Sequence, residues 1–368
     1  MIKVISGIKY GSLPETLGLV YNALFRGFIE YVSGIYGSAS ATNLSRLDKI
    51  NNACLRKVTG CTKTTPLNTL HALAAQVPLR FRRLKVIGRQ VAKHCYGKTP
   101  IWQQLSQPSI NEENRLSLIE KIYQNNKHIL IDMSSLIKSN LRFEDTQICT
   151  TLNNDLWPKK RTDVKVLKQL TLFLIHGTYK DRQVIYTDAS SDGEVCGIGV
   201  YHETRNIKIS RRLKHFVCIM SAELEAILVA LKYISTNSLS GAVIMTDSKS
   251  GCELLRSSIT KRERDQIVQQ ILHMATTTGT IIQWIPGHTG VNGNEMADQL
   301  AKAGLSNQHT CNNKIMIHDA MNYFGSLSEE VAQQWYLNYT SELGKGRKFF
   351  QISNTIPKKT LVPQITSR

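Results

Sequence analysis

Two short apolar runs that each stop at an aspartate, with strong helix formers between them, constrain this chain more than any other feature. The first, Val184-Ile185-Tyr186-Thr187-Asp188-Ala189-Ser190-Ser191, passes from apolar to small polar residues. It reads as a buried strand opening into a turn, with Asp188 where the strand ends. The second, Gly241-Ala242-Val243-Ile244-Met245-Thr246-Asp247-Ser248, reads as another buried strand, whose Asp-Ser end can also start a helix. If the two strands are parallel neighbours, their carboxylates meet. Between them, Ser221 to Leu231 places Glu223, Ile227, Ala230 and, one turn on, Ile234 along one helical face. That face has to pack on the sheet, which turns Glu223 inward and leaves Glu225 an ordinary exposed helix residue. The run from Trp284 to Asp298 then reads as a strand end, a glycine-rich loop carrying His288, and a helix on which Asn294 and Asp298 share a face.

Carboxylates gathered at one end of a mixed sheet suit hard cations, which take oxygen ligands and keep some water. Four are enough for two ions, and two ions about 3.5 to 4 Å apart can stabilise both the attacking and the leaving oxygen of an in-line displacement at phosphorus. Without metal such a cluster repels itself and takes up protons. A histidine on the approach loop can pass a proton. Taken singly, Asp188 and Asp247 could cap turns, Glu223 and Asp298 could be solvated helix charges, and Gly287-His288-Thr289-Gly290 could be a surface turn. Their occurrence together, each on a fitting element, is what points to chemistry.

In their order these blocks resemble type 1 ribonuclease H, from Gln183 to Gly304. The resemblance implies an α/β fold of the ribonuclease H kind, a mixed five-stranded sheet flanked by helices. It makes Asp188, Glu223, Asp247 and Asp298 the metal-binding carboxylates and His288 an aid to proton transfer or product release. It also implies nucleic-acid contacts from Ser190, Ser248 and Asn294, two Mg2+ ions that Mn2+ can replace, and cleavage of the RNA strand of an RNA/DNA hybrid. The first alternative is a nucleic-acid-binding remnant without turnover, against which the presence of all four carboxylates argues; transposases and integrases of the same superfold use three acids ending in Glu, which the order Asp, Glu, Asp, Asp does not match. Many cellular relatives add a basic helix that grips the hybrid between the Asp247 and His288 blocks. Here Lys249 to Thr280 fills that interval, with Lys261-Arg262-Glu263-Arg264 as its basic cluster, so the grip is expected to be missing.

Charge suggests where grip comes from instead. The chain carries a formal net charge of +18. Residues 183–305 hold 12 basic and 12 acidic residues, whereas residues 1–98 hold 15 Lys/Arg against Glu15, Glu30 and Asp48. A polyanion is the natural partner for that basic half. Its pattern is helical: Leu17, Val20, Leu24 and Phe28, then Leu44, Leu47, Ile50, Cys54 and Val58 up to a capping Gly60, predict two antiparallel helices. Thr65-Pro66 predicts the start of a short helix through Ala75. From Leu79 to His94, Leu84, Ile87 and Val91 line one side and Arg82, Lys85, Arg89 and Lys93 another, a basic amphipathic helix able to track a phosphate backbone or lie on a membrane surface, with the solvated face of a small helical bundle as the plain alternative.

Leu47, Asn51-Asn52-Ala53-Cys54-Leu55-Arg56, Thr59-Gly60, Thr64-Thr65-Pro66, Leu70, Pro78-Leu79 and Arg82-Arg83 are similar to the region after the polymerase core in non-LTR retrotransposon proteins. This implies a thumb and connection over residues 1–97, in the C-terminal piece of a retroelement polyprotein whose reverse transcriptase core is not represented. Residues 98–182 read as a connecting region, with a helix candidate at Leu116 to Tyr123 and a basic tract Trp157-Pro158-Lys159-Lys160-Arg161. Residues 306–368 read as an extension with a helix from Ser326 to Leu343 and a loose tail. The eight cysteines form no CxxC pair or His/Cys ligand spacing and read as reduced thiols. With no signal peptide and no apolar run near the ~18 residues of a membrane span, an intracellular protein, nuclear or cytoplasmic, is expected.

Overall fold

The first expected helix is built in pieces, and the break changes which side chains face inward. In the computed structural model, which describes residues 6, 12–107, 116–152, 162–308 and 310–357, Pro14–Val20 is followed by a π-helical turn, Tyr21–Arg26, and then by Gly27–Tyr31 and Ser33–Tyr36. The wider turn moves the buried stripe to Leu17, Tyr21 and Ile29, and leaves Leu24 and Phe28 exposed. Helix α1 (Ala41–Thr59) starts at Ser40, whose Oγ accepts the Asn43 N–H, and ends at Gly60 with φ 71°, the left-handed cap the sequence predicts. Its buried residues are Asn51, Leu55 and Val58, with Ile50 exposed. Helix α2 (Leu67–Leu73) is capped by Pro66 rather than Thr65 and stops before Ala75, which has φ 50°.

Helix α3 (Leu79–Gly97) carries the basic face, and most of that face is occupied. Arg82 Nε donates to Glu30 Oε1 at 2.7 Å, Lys85 Nζ lies 3.9 Å from Glu329, and Arg89 Nε donates to the Met321 carbonyl at 3.0 Å. Lys93 alone of the four is exposed. Phe324 packs on Gly88 so closely that a Cβ there would lie 2.2 Å from its ring. The helix Ile317–Leu343, which begins well before the expected Ser326, supplies Met321, Phe324 and Glu329 and so covers this side of α3. The face drawn from sequence as a phosphate track is therefore largely internal to a helical unit made of Met1–Cys95, Thr99–Leu130 and Ala320–Arg368.

The second compact unit comprises Tyr96–Lys98 and Ile131–Asp319. Strands β1 (Leu136–Lys138) and β2 (Ile148–Cys149) precede β3 (Gln183–Ser191), β4 (Cys196–His202) and β5 (Ile207–Leu213). Then come β6 (Ala242–Thr246), β7 (Glu263–Asp265), β8 (Ile281–Trp284) and β9 (Thr310–Cys311). Among the described residues the main sheet has the order β2-β8-β6-β3-β4-β5-β9. β3, β6 and β8 are parallel neighbours, while β3-β4 and β4-β5 are antiparallel. The inner five are the mixed sheet that was expected. Two-residue strands widen it to seven, β2 beside β8 and β9 beside β5, both parallel. Thus part of the segment read as a connector edges the sheet, and β1 pairs separately with β7.

Alternation along the strands buries both faces. Val184 and Tyr186 of β3 cluster with Val243 and Met245 of β6, while Ile185 and Ile244 join the opposite cluster. On that opposite side lie α4 (Ile219–Thr236), α5 (Lys249–Ser258) and α6 (Gln266–Thr278), supplying Leu224, Ile227, Cys252, Leu255, Ile271 and Leu272. On the first side α7 (Asn292–Leu305) supplies Ala297. It rests directly on β4: a Cβ at Gly197 or Gly199 would lie 2.2 Å from the Ala301 or Ala297 carbonyl oxygen. The unit ends with Ile317, His318 and Asp319, the first residues of α8 (Ile317–Leu343).

Two local readings need correction. Glu225 is buried, and its Oε1 accepts the Lys314 N–H at 3.1 Å, because the chain before α8 returns over that side of α4. Within the basic cluster, Arg264 is also buried. It donates to the carbonyls of Ser258, Ile259 and Leu141 and lies 4.8 Å from the Phe143 ring centroid. Between α5 and β8 the single helix is α6, which has no Lys or Arg. The eight cysteines are all free thiols. Among the described residues no helix is long and apolar enough to cross a membrane. The tract Trp157 to Arg161 lies outside the described residues.

Candidate metal centre

Register brings the first two carboxylates together. The last parallel pair between β3 and β6 is Thr187 with Thr246, so Asp188 and Asp247 are the next residues on adjacent strands. Asp188 does not end its strand as expected: β4 stays paired with β3 through Ser191, setting Asp188 opposite Gly199. β6 stops because Ser248 caps α5, its Oγ accepting the Gly251 N–H at 3.3 Å. Glu223 comes from the second turn of α4, on the face that also buries Ile227, Ala230 and Ile234. One carboxylate oxygen each from Asp188, Glu223 and Asp247 lies within 4.8 Å of the other two.

Two of the three, Asp188 and Glu223, have few hydrogen-bond donors within the chain. Asp188 and Glu223 are 6% and 5% exposed. They share one donor, the Ala189 N–H, at 2.8 Å from Asp188 Oδ1 and 3.2 Å from Glu223 Oε1. Glu223 Oε2 is buried with no hydrogen-bond partner. Burial, then the Asp247 charge, and more weakly that of Asp298, pushes Asp188 up to about 7. Burial followed by the charges of Asp188 and Asp247 raises Glu223 well above the ordinary range. A buried carboxylate oxygen without a partner is costly unless something positive answers it. An all-oxygen donor set of this kind fits a hard divalent cation.

The structure places the remaining candidates around these three. Asp298 on α7 is not within the 4.8 Å group, and its Oδ2 accepts from Lys302 Nζ at 2.6 Å. Asn294, one turn earlier, is buried with Oδ1 unpartnered. His288 is exposed, with φ 60°, in a turn closed by Thr289 Oγ1 donating to the Pro286 carbonyl at 3.1 Å and by Gly290 N–H donating to Glu295 Oε1 at 3.3 Å. Ser190 is half-buried near the end of β3, opposite Gly197.

Residues 180–306 match the family model described as RNase H. The matched stretch runs from β3 to α7 and contains Asp188, Glu223, Asp247, His288 and Asp298, so this part of the chain is an RNase H domain. Such a domain acts on nucleic acid, and the acidic cluster is where a divalent metal can sit.

In this RNase H domain the sequence reading passed over residues that hold Asp247. Gly287 comes so near that a Cβ there would lie 2.0 Å from Asp247 Oδ2. Trp284 Nε1 donates to the Asp247 carbonyl at 3.2 Å, and Lys249 Nζ lies 5.1 Å from the Trp284 ring centroid. Pro286-Gly287 is visible in the sequence only as loop punctuation; what it touches depends on β6 and β8 being neighbours. Gly287→Ala is expected to displace the Asp247 carboxylate and lower metal-dependent activity by up to about 10²-fold, the effect of a misplacement near 1 Å. A thermal midpoint close to wild type, with a raised metal concentration for half-maximal activity, is the expected signature. Unchanged metal dependence would show that Asp247 is not positioned by this contact.

Proposed function

We propose that the chain is a divalent-metal-dependent endonuclease that hydrolyses the RNA strand of RNA/DNA hybrids. The observation that carries this reading is the meeting of Asp188, Glu223 and Asp247, with Glu223 Oε2 left unpartnered, inside a segment that matches RNase H. Asp188, Glu223 and Asp247, with Asp298, would hold two Mg2+ ions, for which Mn2+ can substitute. When bound, the ions supply Lewis-acid stabilisation of the attacking and leaving oxygens, giving a 3'-hydroxyl and a 5'-phosphate. Asp298 would give up its Lys302 partner to take that role. His288, exposed on its turn, carries a proton to or from solvent or helps product leave. Asn294 and Ser190 meet the nucleic acid near the carboxylates, and 2'-hydroxyl contacts distinguish RNA from DNA. Ser248 accepts from Gly251 through its oxygen and keeps its hydroxyl proton for a phosphate.

The basic excess over residues 1–98 supplies long-range attraction for the hybrid. Direct contact through α3 falls to exposed Lys93, since Arg82, Lys85 and Arg89 have partners within the helical unit. We read residues 1–97 as thumb- and connection-like, 98–182 as the link to a nuclease domain at 183–305, and the whole as part of a retroelement-derived protein. The support for that origin is the run of residues from Leu47 to Arg83.

The deciding experiment offers the purified chain labelled RNA/DNA hybrid, duplex DNA, duplex RNA and single-stranded RNA with Mg2+. Cutting of the hybrid's RNA strand, stopped by a chelator, is expected. Absence of metal-dependent RNA cleavage would sink the reading, and duplex DNA cut as readily as hybrid would favour a transposase-type nuclease.

A further inference from the structure

A second group of metal-ligating side chains lies apart from the carboxylate cluster, where α4 and α8 begin. Cys218 is the residue before α4, and His318 and Asp319 open α8. Cys218 Sγ lies 3.0 Å from His318 Nε2, and His318 Nε2 lies 3.4 Å from Asp319 Oδ1. One ligand atom from each of the three falls within 4.8 Å of the others. Ser221 Oγ, one turn into α4, is 3.0 Å from His318 Nε2 and donates to Asp319 Oδ2 at 2.7 Å, while Asp319 Oδ1 accepts the Cys218 N–H at 2.9 Å. Asp319 is buried, whereas Cys218 and His318 are half-buried and reachable from solvent.

We propose that Cys218, His318 and Asp319 form a zinc site. Sulfur, imidazole nitrogen and one carboxylate oxygen make a donor set that zinc accepts and magnesium does not favour. Around a tetrahedral zinc, bonds of roughly 2.0 to 2.3 Å put neighbouring ligand atoms about 3.3 to 3.8 Å apart. The 3.0 and 3.4 Å separations need only small side-chain movement to reach that range. The Ser221 hydroxyl and the Cys218 N–H hold the Asp319 carboxylate in place, the outer-shell support that such ligands require. Capping of α4 by Asp319 accounts for the carboxylate alone; it gives no reason for a thiol and an imidazole to converge on the same point. Binding releases the thiol proton to solvent and leaves a coordination position for water. The ligands from the two helices are about a hundred residues apart in sequence, which is why cysteine spacing could not reveal the site.

Zinc here would tie the start of α4, the helix that carries Glu223, to the start of α8. The test uses the full chain, stripped of metal and titrated with Co2+ in excess Mg2+ so that the carboxylate cluster is occupied. One Co2+ per chain with a thiolate-to-cobalt charge-transfer absorption in the near ultraviolet is expected. The band should disappear in Cys218→Ala, need at least tenfold more Co2+ to develop in His318→Gln, and persist in Asp188→Asn. Zinc should displace cobalt and raise the thermal midpoint of wild type but not of Cys218→Ala. If Cys218→Ala does not fold, His318→Gln, which keeps the thiol, decides the matter by at least tenfold weaker binding. Absence of a thiolate band, its survival in folded Cys218→Ala, or an unchanged cobalt affinity in folded His318→Gln overturns the proposal. Loss of hybrid cleavage plays no part in this readout, so the two readings fail separately.

Discussion

Asp188→Asn is expected to abolish RNA cleavage and, at the same time, to stabilise the metal-free protein above neutral pH. The activity loss would follow from removing one carboxylate from the group proposed to hold the metal. A change of several kcal/mol in transition-state stabilisation corresponds to about three powers of ten in rate. The stability gain comes from the carboxylate's raised pKa. Burial and the Asp247 charge lift Asp188 from 3.8 to about 7. As pH rises from about 4, the unfolded chain gives up this proton first and the native state goes on holding it until about 7. Stability is therefore greatest below the unfolded value and declines across that window. Glu223, raised chiefly by burial, acts in the same direction. Asparagine has no proton to lose, so the variant should show a flatter midpoint-versus-pH curve and exceed wild type in chelator at high pH. Added Mg2+ or Mn2+ should raise the wild-type midpoint more at high pH than at low pH, because cations compete with protons for these oxygens. Differential scanning fluorimetry with and without chelator measures both curves. A flat metal-free wild-type curve between about pH 4 and about pH 8 would contradict a crowded cluster of buried carboxylates.

Legibility in the sequence followed the range of the physics involved. Short apolar runs marked β3 and β6, and parallel neighbours put equivalent positions side by side, so the pattern of residues was enough to bring Asp188 and Asp247 together. Helical periodicity turned Glu223 inward in a similar way: Ile227, Ala230 and Ile234 must be buried with it. The flat-sided reading of Glu225 failed because a helix covered on several sides has no solvent face, and the covering chain near Lys314 is remote in sequence. The N-terminal stripe slipped because one π-helical turn shifts the phase that a strict 3.6 repeat assumes. Arg82, Lys85 and Arg89 show the limit for charge. A row of cations predicts a charged face, but whether phosphate or Glu30 and Glu329 will meet it depends on packing among distant helices. Two-residue strands such as β2 and β9 are too short to carry a periodic signal at all.

Backbone packs closely on backbone between β4 and α7, and Gly199→Ala should expose it. In Gly197-Ile198-Gly199 the isoleucine is fully buried on the α4 side, while the glycines face α7. A Cβ at residue 199 would lie 2.2 Å from the Ala297 carbonyl oxygen and 2.6 Å from the Ala301 nitrogen. Both atoms are backbone, so no rotamer change can relieve the overlap and the helix itself must move. Overpacking of this kind costs about 1 to 3 kcal/mol. For a unit of roughly 150 to 250 residues each kcal/mol lowers the midpoint by about 2 to 4 °C, so a fall of roughly 2 to 12 °C is expected. Gly177→Ala is the control, since a Cβ there meets nothing within 4 Å and its midpoint should stay near wild type. Because Gly199 is the register partner of Asp188, and α7 carries Asn294 and Asp298, lifting this helix should also carry Asp298 farther from the three clustered carboxylates. Wild-type stability together with wild-type metal dependence in Gly199→Ala would show that α7 can shift without cost, and that Asp298 is not held in place by the closeness of β4.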